Sequence, residues 1–400
     1  MMTIMLSATQ QLRVLVVLAL VQFTHTMDFM VLIPLGPQLM RLFSITPQQF
    51  TFVLSVYTLA AGIFGLLGSM LFDRVDRKHA LIGVYIGFMI GTLGCAIAPN
   101  YWTLLWARAL SGAFGGVISG ITFSIVADLF DLELRGYAMS RVIAAFSIAT
   151  ILGVPVGIYL ANNFGWHAPF FLIFALGALT LVAATLVIPP VRGHLKHRHS
   201  DWLAGLKLAA KDSNSRKALA MTLMMVLSQF TVIPFIAPFL TRNMGFREIN
   251  LPYLYFLGGL FTTISGPLTG KFCDRYGASN VFKMTGLLFL VPVFVMTHLP
   301  VGTVPVVLVV STLFFILSNS RFVPAMTLIS SSVPNARRGS FLSLNSCVQQ
   351  IGSAIASFSG GFLVTQSANG TLVGFGTTAW FAAIFGTIAY LLGRRIRAIA

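Results

Sequence analysis

Charge is what this sequence has least of. Charged residues fill 9% of its 400 positions, against about a quarter in a typical globular chain. Asp and Glu together number ten, so each acid carries information. Cysteine is almost as scarce. Cys95, Cys273 and Cys347 lie in or beside apolar runs without paired spacing, which excludes a disulfide or metal framework and leaves small core residues. No Gly-x-x-x-x-Gly-Lys-Ser/Thr stretch is present. ATP-driven pumping by this chain alone is therefore not expected. No nucleophile–base pair is visible, so the chain is not expected to be an enzyme, and no cofactor is implied.

What is present is apolar. Hydrophobic residues make up 56% of the chain and mean hydropathy is +0.87, the composition of a membrane protein. The net charge of +16 does not point to nucleic acid. The basic residues sit in short loops between apolar runs, where they set membrane topology. Twelve runs are long enough to span a bilayer: 12–40, 49–72, 79–98, 101–128, 136–162, 167–190, 217–241, 249–272, 280–298, 302–333, 339–366 and 371–393. The first is too long for a cleavable signal peptide and contains an acid, so it reads as span 1. With the N-terminus inside, the inner segments hold 21 Lys and Arg and the outer segments only Arg41, Arg242 and Arg247. That imbalance puts both termini in the cytoplasm.

The one long connection, 191–216, is basic and His-rich. It divides the chain into 1–190 and 217–400. His194, His197 and His199 sit there among cations with no acid or Cys partner, so a metal site is not expected. The stretch from Ser200 to Lys217 suits an amphipathic helix on the inner leaflet. The two halves share punctuation. Gly-Ser-Met-Leu-Phe-Asp73-Arg74 closes span 2 and Gly-Lys-Phe-Cys-Asp274-Arg275 closes span 8, an offset of 201; Arg135-Gly136 and Arg338-Gly339 open spans 5 and 11, an offset of 203. A duplicated six-span unit of this kind places a substrate site near the membrane midplane between its halves. The expected fold is all-α: twelve transmembrane helices in two pseudo-symmetric six-helix bundles.

Three motifs resemble one family. Gly68–Leu81 is similar to the loop signature Gly-x-Leu-Ala-Asp-Arg-x-Gly-Arg-Arg/Lys of the major facilitator superfamily, departing at Phe72 and at Asp76, which replaces the second Gly. Arg108-Ala-Leu-Ser-Gly112 resembles Arg-x-x-Gln-Gly, with Ser111 for Gln. Gly153-Val-Pro155-Val-Gly157 resembles the span 5 antiporter motif, in the form found in the arabinose- and sugar-efflux-like branch of the twelve-span drug:proton antiporters. The resemblance covers essentially the whole chain. It implies an alternating-access exporter of a small-molecule substrate, coupled to protons, in a bacterial inner membrane, and a monomer. It also implies a gating relay of Asp73, Arg77 and Asp128, and close packing or bending at Gly153, Pro155 and Gly157.

Candidate site residues are the polar groups inside spans. Asp28 lies about 22 Å from the inner face of span 1, at ~1.5 Å per residue. Arg108, on the oppositely directed span 4, comes to a similar ~20 Å in a core of ~30 Å. A carboxylate at that depth is expensive and functional by expectation. Burial disfavours its charge and a facing guanidinium favours it, so Asp28 can change protonation as access alternates. The same pair could instead tie spans 1 and 4 together structurally. His25, one turn before Asp28, either extends a proton relay or bonds a neighbouring carbonyl. Gln229 stands at offset 201 from Asp28, a neutral amide where the first half has an acid. It either contacts substrate or bonds between helices. Arg321 in span 10 has no acid at its depth. It is a candidate substrate anchor with Asn319, Asn345 and Gln349, or it bonds those side chains or snorkels. The expected function is export of a small organic solute in exchange for protons. The alternatives are a proton-coupled importer or uniporter of an anionic metabolite or lipid-like solute, and, remotely, a non-transporting membrane sensor.

Overall fold

The computed structural model describes residues 7–72, 75–192, 195, 211–299, 303–334 and 338–397, without the side chains of 69–72 and 132. Asp73, the three loop histidines and most of the expected amphipathic segment lie outside the described residues.

The chain is almost entirely helical. Among the described residues one two-stranded hairpin, Thr365–Gln366 with Leu372–Val373, is the exception. Among the described residues ten helices are long and apolar enough to cross a membrane. Spans 8 and 11, Leu251–Tyr276 and Arg338–Leu363, have 26 residues each, about 39 Å at 1.5 Å per residue. They have the length of spans and are more polar than the other ten.

Span 1 begins at Ala8 under a capping box. Ser7 Oγ accepts the Gln10 N–H at 3.3 Å, and Gln10 Oε1 accepts the Ser7 N–H at 3.0 Å, which satisfies two otherwise orphaned donors. The helix runs to Val31, turns at 32–35 and resumes as Gly36–Leu42. Span 7 does the same, with Ser213–Phe230, a 3₁₀ turn at Ile233–Phe235, then Ile236–Asn243. Pro34 and Pro234 sit in the two breaks, where their missing N–H interrupts the helical ladder. The repeat extends to single contacts. Arg135 Nη2 donates to the Ala127 carbonyl at 2.7 Å, and Arg338 Nε to the Ser330 carbonyl at 2.9 Å. Both residue pairs are offset by 203.

Two compact units result. One comprises Met1–Leu32 with Val56–Ser200, the other Ile33–Ser55 with Asp201–Ala400. The first has a core of Leu18, Val84, Phe88, Ile118 and Ile125. Its helices approach closely where glycine removes the side chain. A Cβ on Gly91 of span 3 would lie 2.5 Å from Ser111 Oγ and 2.6 Å from its N, and one on Gly112 of span 4 would meet the backbone of Tyr57 in span 2. Backbone cannot rotate away as a side chain can. Gly112→Ala is expected to destabilise the protein by about 1–3 kcal/mol, measurable as a lower thermal midpoint in detergent.

The second unit has a core of Met221, Met225, Phe282, Ile329 and Phe341. The hairpin 33–55 is part of it. Gly36 packs between Phe50 and Pro238, with a would-be Cβ 2.8 and 3.1 Å from them. Phe52 meets Phe358 at 5.7 Å, and Arg41 makes a two-pronged ion pair with Glu248, Nη2 to Oε2 at 3.0 Å. At the far end of span 11, Asn243 pairs its amide with the backbone of Leu372 at 2.8 and 2.9 Å.

Candidate functional site

Asp28 and Arg108 are both fully buried and joined by an ion pair, Nη1 to Oδ2 at 2.7 Å. The same Nη1 reaches the Asp28 backbone carbonyl at 3.2 Å. Thr92 of span 3 donates its hydroxyl to Oδ1 at 3.1 Å, so both carboxylate oxygens are engaged. Below the guanidinium lies the Tyr57 ring, 4.1 Å from Cζ to centroid, itself stacked on Phe29 at 5.4 Å. A guanidinium over an aromatic face gains a further electrostatic attraction. Among the described residues Arg108 Nε and Nη2 have no hydrogen-bond partner. Four spans thus meet at one pair: span 1 brings the acid, span 4 the cation, span 3 a hydroxyl and span 2 the ring.

The sequence placed the acid and the base at one depth, and the structure joins them. Neither the Thr92 hydroxyl nor the Tyr57 ring is expected at the pair from the sequence. Nothing local in the sequence reveals either, because both reach the pair through helix packing. The change of Gln to Ser111 is explained by that packing. Ser111 faces Gly91 at contact distance and turns its hydroxyl back to the Ala107 carbonyl at 2.9 Å, leaving no room for a longer amide. The span 5 motif packs on the same stretch. Ala149–Gly153 forms a π-helical turn ahead of Val154–Phe164, a local widening that suits a kink at Pro155. Gly153 lies against Met27, with a would-be Cβ 3.2 Å from Met27 Cγ, and Gly157 lies against Val31. The two glycines therefore bracket Asp28 along span 1.

His25 meets Phe88 edge-on at 5.8 Å, and its buried Nδ1 has no partner. In the second unit the polar residues do not form one wall. Arg321, 2% exposed, lies over the Phe289 ring at 3.4 Å, with Nε and Nη2 unpartnered. No hydrogen bond joins it to Asn319, Asn345 or Gln349 among the described residues. Asn319 instead donates to the Thr262 carbonyl at 3.3 Å, and Asn345 Oδ1 accepts from Thr222 at 2.6 Å. Asn345 and Gln349 both turn their amide nitrogens to Met326 Sδ at 3.9 Å. Gln229 Oε1 is buried without a partner.

At the loop after span 2, Arg77 pairs with Asp128 at 3.0 Å and donates to the Ser124 carbonyl at 2.7 Å. Asp76, the residue in place of the signature's second Gly, does three things. It caps span 3 by accepting the Lys78 N–H at 2.9 Å, accepts the Val191 N–H at 3.1 Å, and takes Arg192 Nε at 2.9 Å. The repeat keeps Gly277 at the corresponding place, with φ 81°. Partial burial pushes the Asp76 carboxyl up, but the Val191, Arg192 and Lys78 hydrogen bonds outweigh it and hold the group below the usual carboxylate range. The stability it adds is present above the unfolded value of about 4 and is lost as pH falls through the lower folded value. Asp76→Ala is expected to cost about 2 kcal/mol at neutral pH. Thermal unfolding should show this gap closing towards about pH 3.

Residues 18–357 and 218–398 match the family described as the Major Facilitator Superfamily. The chain belongs to that superfamily. Its relatives include two uncharacterized MFS-type transporters of Bacillus subtilis. YtbD is 24% identical over 84% of this chain and 83% of its own length, and YceJ is 23% identical over 94% of each. Among solved structures, the inward-facing, occupied form of a bacterial homologue of the human lysosomal transporter Spinster superposes with a TM-score of 0.79 at 16% identity, covering 97% of this chain and 98% of that one. A D-xylose–proton symporter gives 0.77 at 16% identity over 98% of each. These likenesses show the fold: twelve membrane helices in two pseudo-symmetric six-helix bundles. The superfamily member is a multi-pass membrane protein and a secondary transporter that works by alternating access.

Proposed function

We propose that the transporter exports a small organic solute in exchange for protons, as a member of the sugar-efflux-like branch of the drug:proton antiporters. It works as a monomer in a bacterial inner membrane with both termini in the cytoplasm, and halves 1–190 and 217–400 rock about the linker 191–216. The observation that carries the reading is the Asp28–Arg108 pair, a titratable carboxylate in a membrane span with every oxygen engaged. Such a group holds its charge only while its partners stay in place. As access alternates, the water that reaches the pair changes, and with it the affinity of Asp28 for a proton. Arg108 sets that affinity, and His25 passes the proton. Gly153, Pro155 and Gly157 let span 5 follow span 1, and Arg77 with Asp128, together with Asp73, latches the loop side.

Substrate contact falls to the second half, at Gln229, Asn319, Asn345, Gln349 and Arg321. The unpartnered nitrogens of Arg321 favour one second reading, import or uniport of an anionic solute. Both readings are tested in proteoliposomes with an imposed proton gradient and a panel of neutral, cationic and anionic solutes. Uptake into inside-out vesicles driven by an acidic interior supports export. Flux of anions alone, insensitive to the gradient, favours the second reading. Under either, Arg321→Gln is expected to weaken substrate affinity about tenfold or more, as for loss of a charged hydrogen bond, measured as a rise in half-saturating concentration. Unchanged affinity removes Arg321 from the site.

A further inference from the structure

Span 1 carries Gln22, His25 and Asp28 at intervals of three, one stripe along the helix. Span 4 runs antiparallel and meets this stripe with Ser119, Gly115 and Arg108. The buried ion pair occupies one end. At the other, half-buried Ser119 donates its hydroxyl to Gln22 Oε1 at 3.1 Å. Between them His25 faces the bare Cα of Gly115. A Cβ there would lie 3.2 Å from His25 Nε2 and 2.8 Å from the Tyr57 hydroxyl oxygen. That hydroxyl and His25 Nδ1 are buried and have no hydrogen-bond partner among the described residues. Two polar side chains thus close against the Cα of Gly115, a contact that only glycine allows. The groups able to titrate along the seam are Asp28, His25 and Tyr57, with Arg108 beside them. Cys95 of span 3 borders the ion pair, and Tyr85 of span 3 bonds Thr24 on the next face at 2.7 Å.

We propose that this seam is the route by which protons reach and leave Asp28 from the Gln22–Ser119 end. The idea rests on the reading of Asp28 as the proton site. The Gly115 contact holds His25 Nε2 and the Tyr57 hydroxyl against the same point of the backbone. A proton arriving past Gln22 and Ser119 bonds one imidazole nitrogen of His25. The N–H bond at the other nitrogen breaks, and its proton passes beside the Tyr57 hydroxyl to the Asp28 carboxylate. The imidazole returns neutral in its other tautomer, and release runs the same steps backwards. Nothing is consumed but the proton that moves.

The test needs no substrate. Reconstituted protein is taken through a pH jump while the infrared carboxyl band that Asp28→Asn removes is followed. Gln22→Leu keeps the side chain's bulk and removes its amide. It is expected to slow the relaxation about tenfold, the effect of one hydrogen bond in the path. Ser119→Ala slows it likewise, and Ser119→Thr, which restores the hydroxyl, recovers the rate. Relaxation at the wild-type rate in both Gln22→Leu and Ser119→Ala overturns the route while leaving Asp28 a proton site. Absence of any Asp28-dependent band between about pH 4 and 10 overturns the proton reading itself.

Discussion

Asp28→Asn is expected to abolish gradient-driven accumulation while sparing substrate-for-substrate exchange. The argument starts from the charge states of the cycle. When Asp28 takes up a proton, its side chain becomes neutral and Arg108 keeps its charge. The asparagine side chain reproduces that neutral state in nearly the same volume, offers its oxygen to Arg108 Nη1 and can donate its amide N–H to the Thr92 hydroxyl. The fold must already accommodate this arrangement once per cycle, so the variant should fold. What it cannot do is return to the ionised form. The step that couples proton movement to conformational change is then missing, and accumulation should fall by about a hundredfold or more, as when a proton-transferring group is removed. Counterflow needs no net proton movement and persists. Accumulation at the wild-type level in Asp28→Asn would make the ion pair a structural tie between spans 1 and 4.

The second large effect is on stability. Arg108→Gln removes the only cation that faces Asp28 among the described residues, leaving the carboxylate buried with the Thr92 hydroxyl. Breaking a buried pair from one side typically costs about 3–5 kcal/mol, because the remaining charge is uncompensated. The double variant Asp28→Asn, Arg108→Gln carries no buried charge. It should recover most of the loss, because replacing both partners avoids that penalty. Thermal or denaturant unfolding of the four proteins in detergent gives the coupling directly. Additive losses would mean that the 2.7 Å contact contributes little to stability. Tyr57 extends the same test. Tyr57→Leu removes the ring beneath the guanidinium and should lower stability less than Arg108→Gln does, since an aromatic face supplies about 0.5–2 kcal/mol to a cation.

How far the sequence could be read depended on which distances matter. Depth along a span follows from counting residues at a fixed rise, so Asp28 and Arg108 could be matched across two helices before any contact was known. Rotation about a helix is different. Asn319 and Arg321 are two residues apart and therefore point to nearly opposite sides of span 10. The first meets span 8 and the second lies over Phe289 in span 9. Depth alone grouped Arg321 with Asn319, Asn345 and Gln349 as one candidate substrate contact. Asp76 shows the opposite case. Its departure from the signature glycine was visible in the sequence, but its meaning was not, because Val191 and Arg192 lie more than a hundred residues away.

By itself the sequence determined the membrane class, the all-helical fold, the duplicated halves and the match of Asp28 with Arg108 along their spans. These follow from hydrophobic run length, from the scarcity of charge and from spacing, all of which are local. Only the tertiary structure decided which groups meet. It set Thr92 and Tyr57 on the ion pair, separated Arg321 from the neighbouring amides, tied Asp76 to the chain after span 6, and packed His25 and Tyr57 against Gly115. The reason is physical: glycine contacts and proline breaks fix how each helix is turned against its neighbours, and that rotation depends on every helix packed around it.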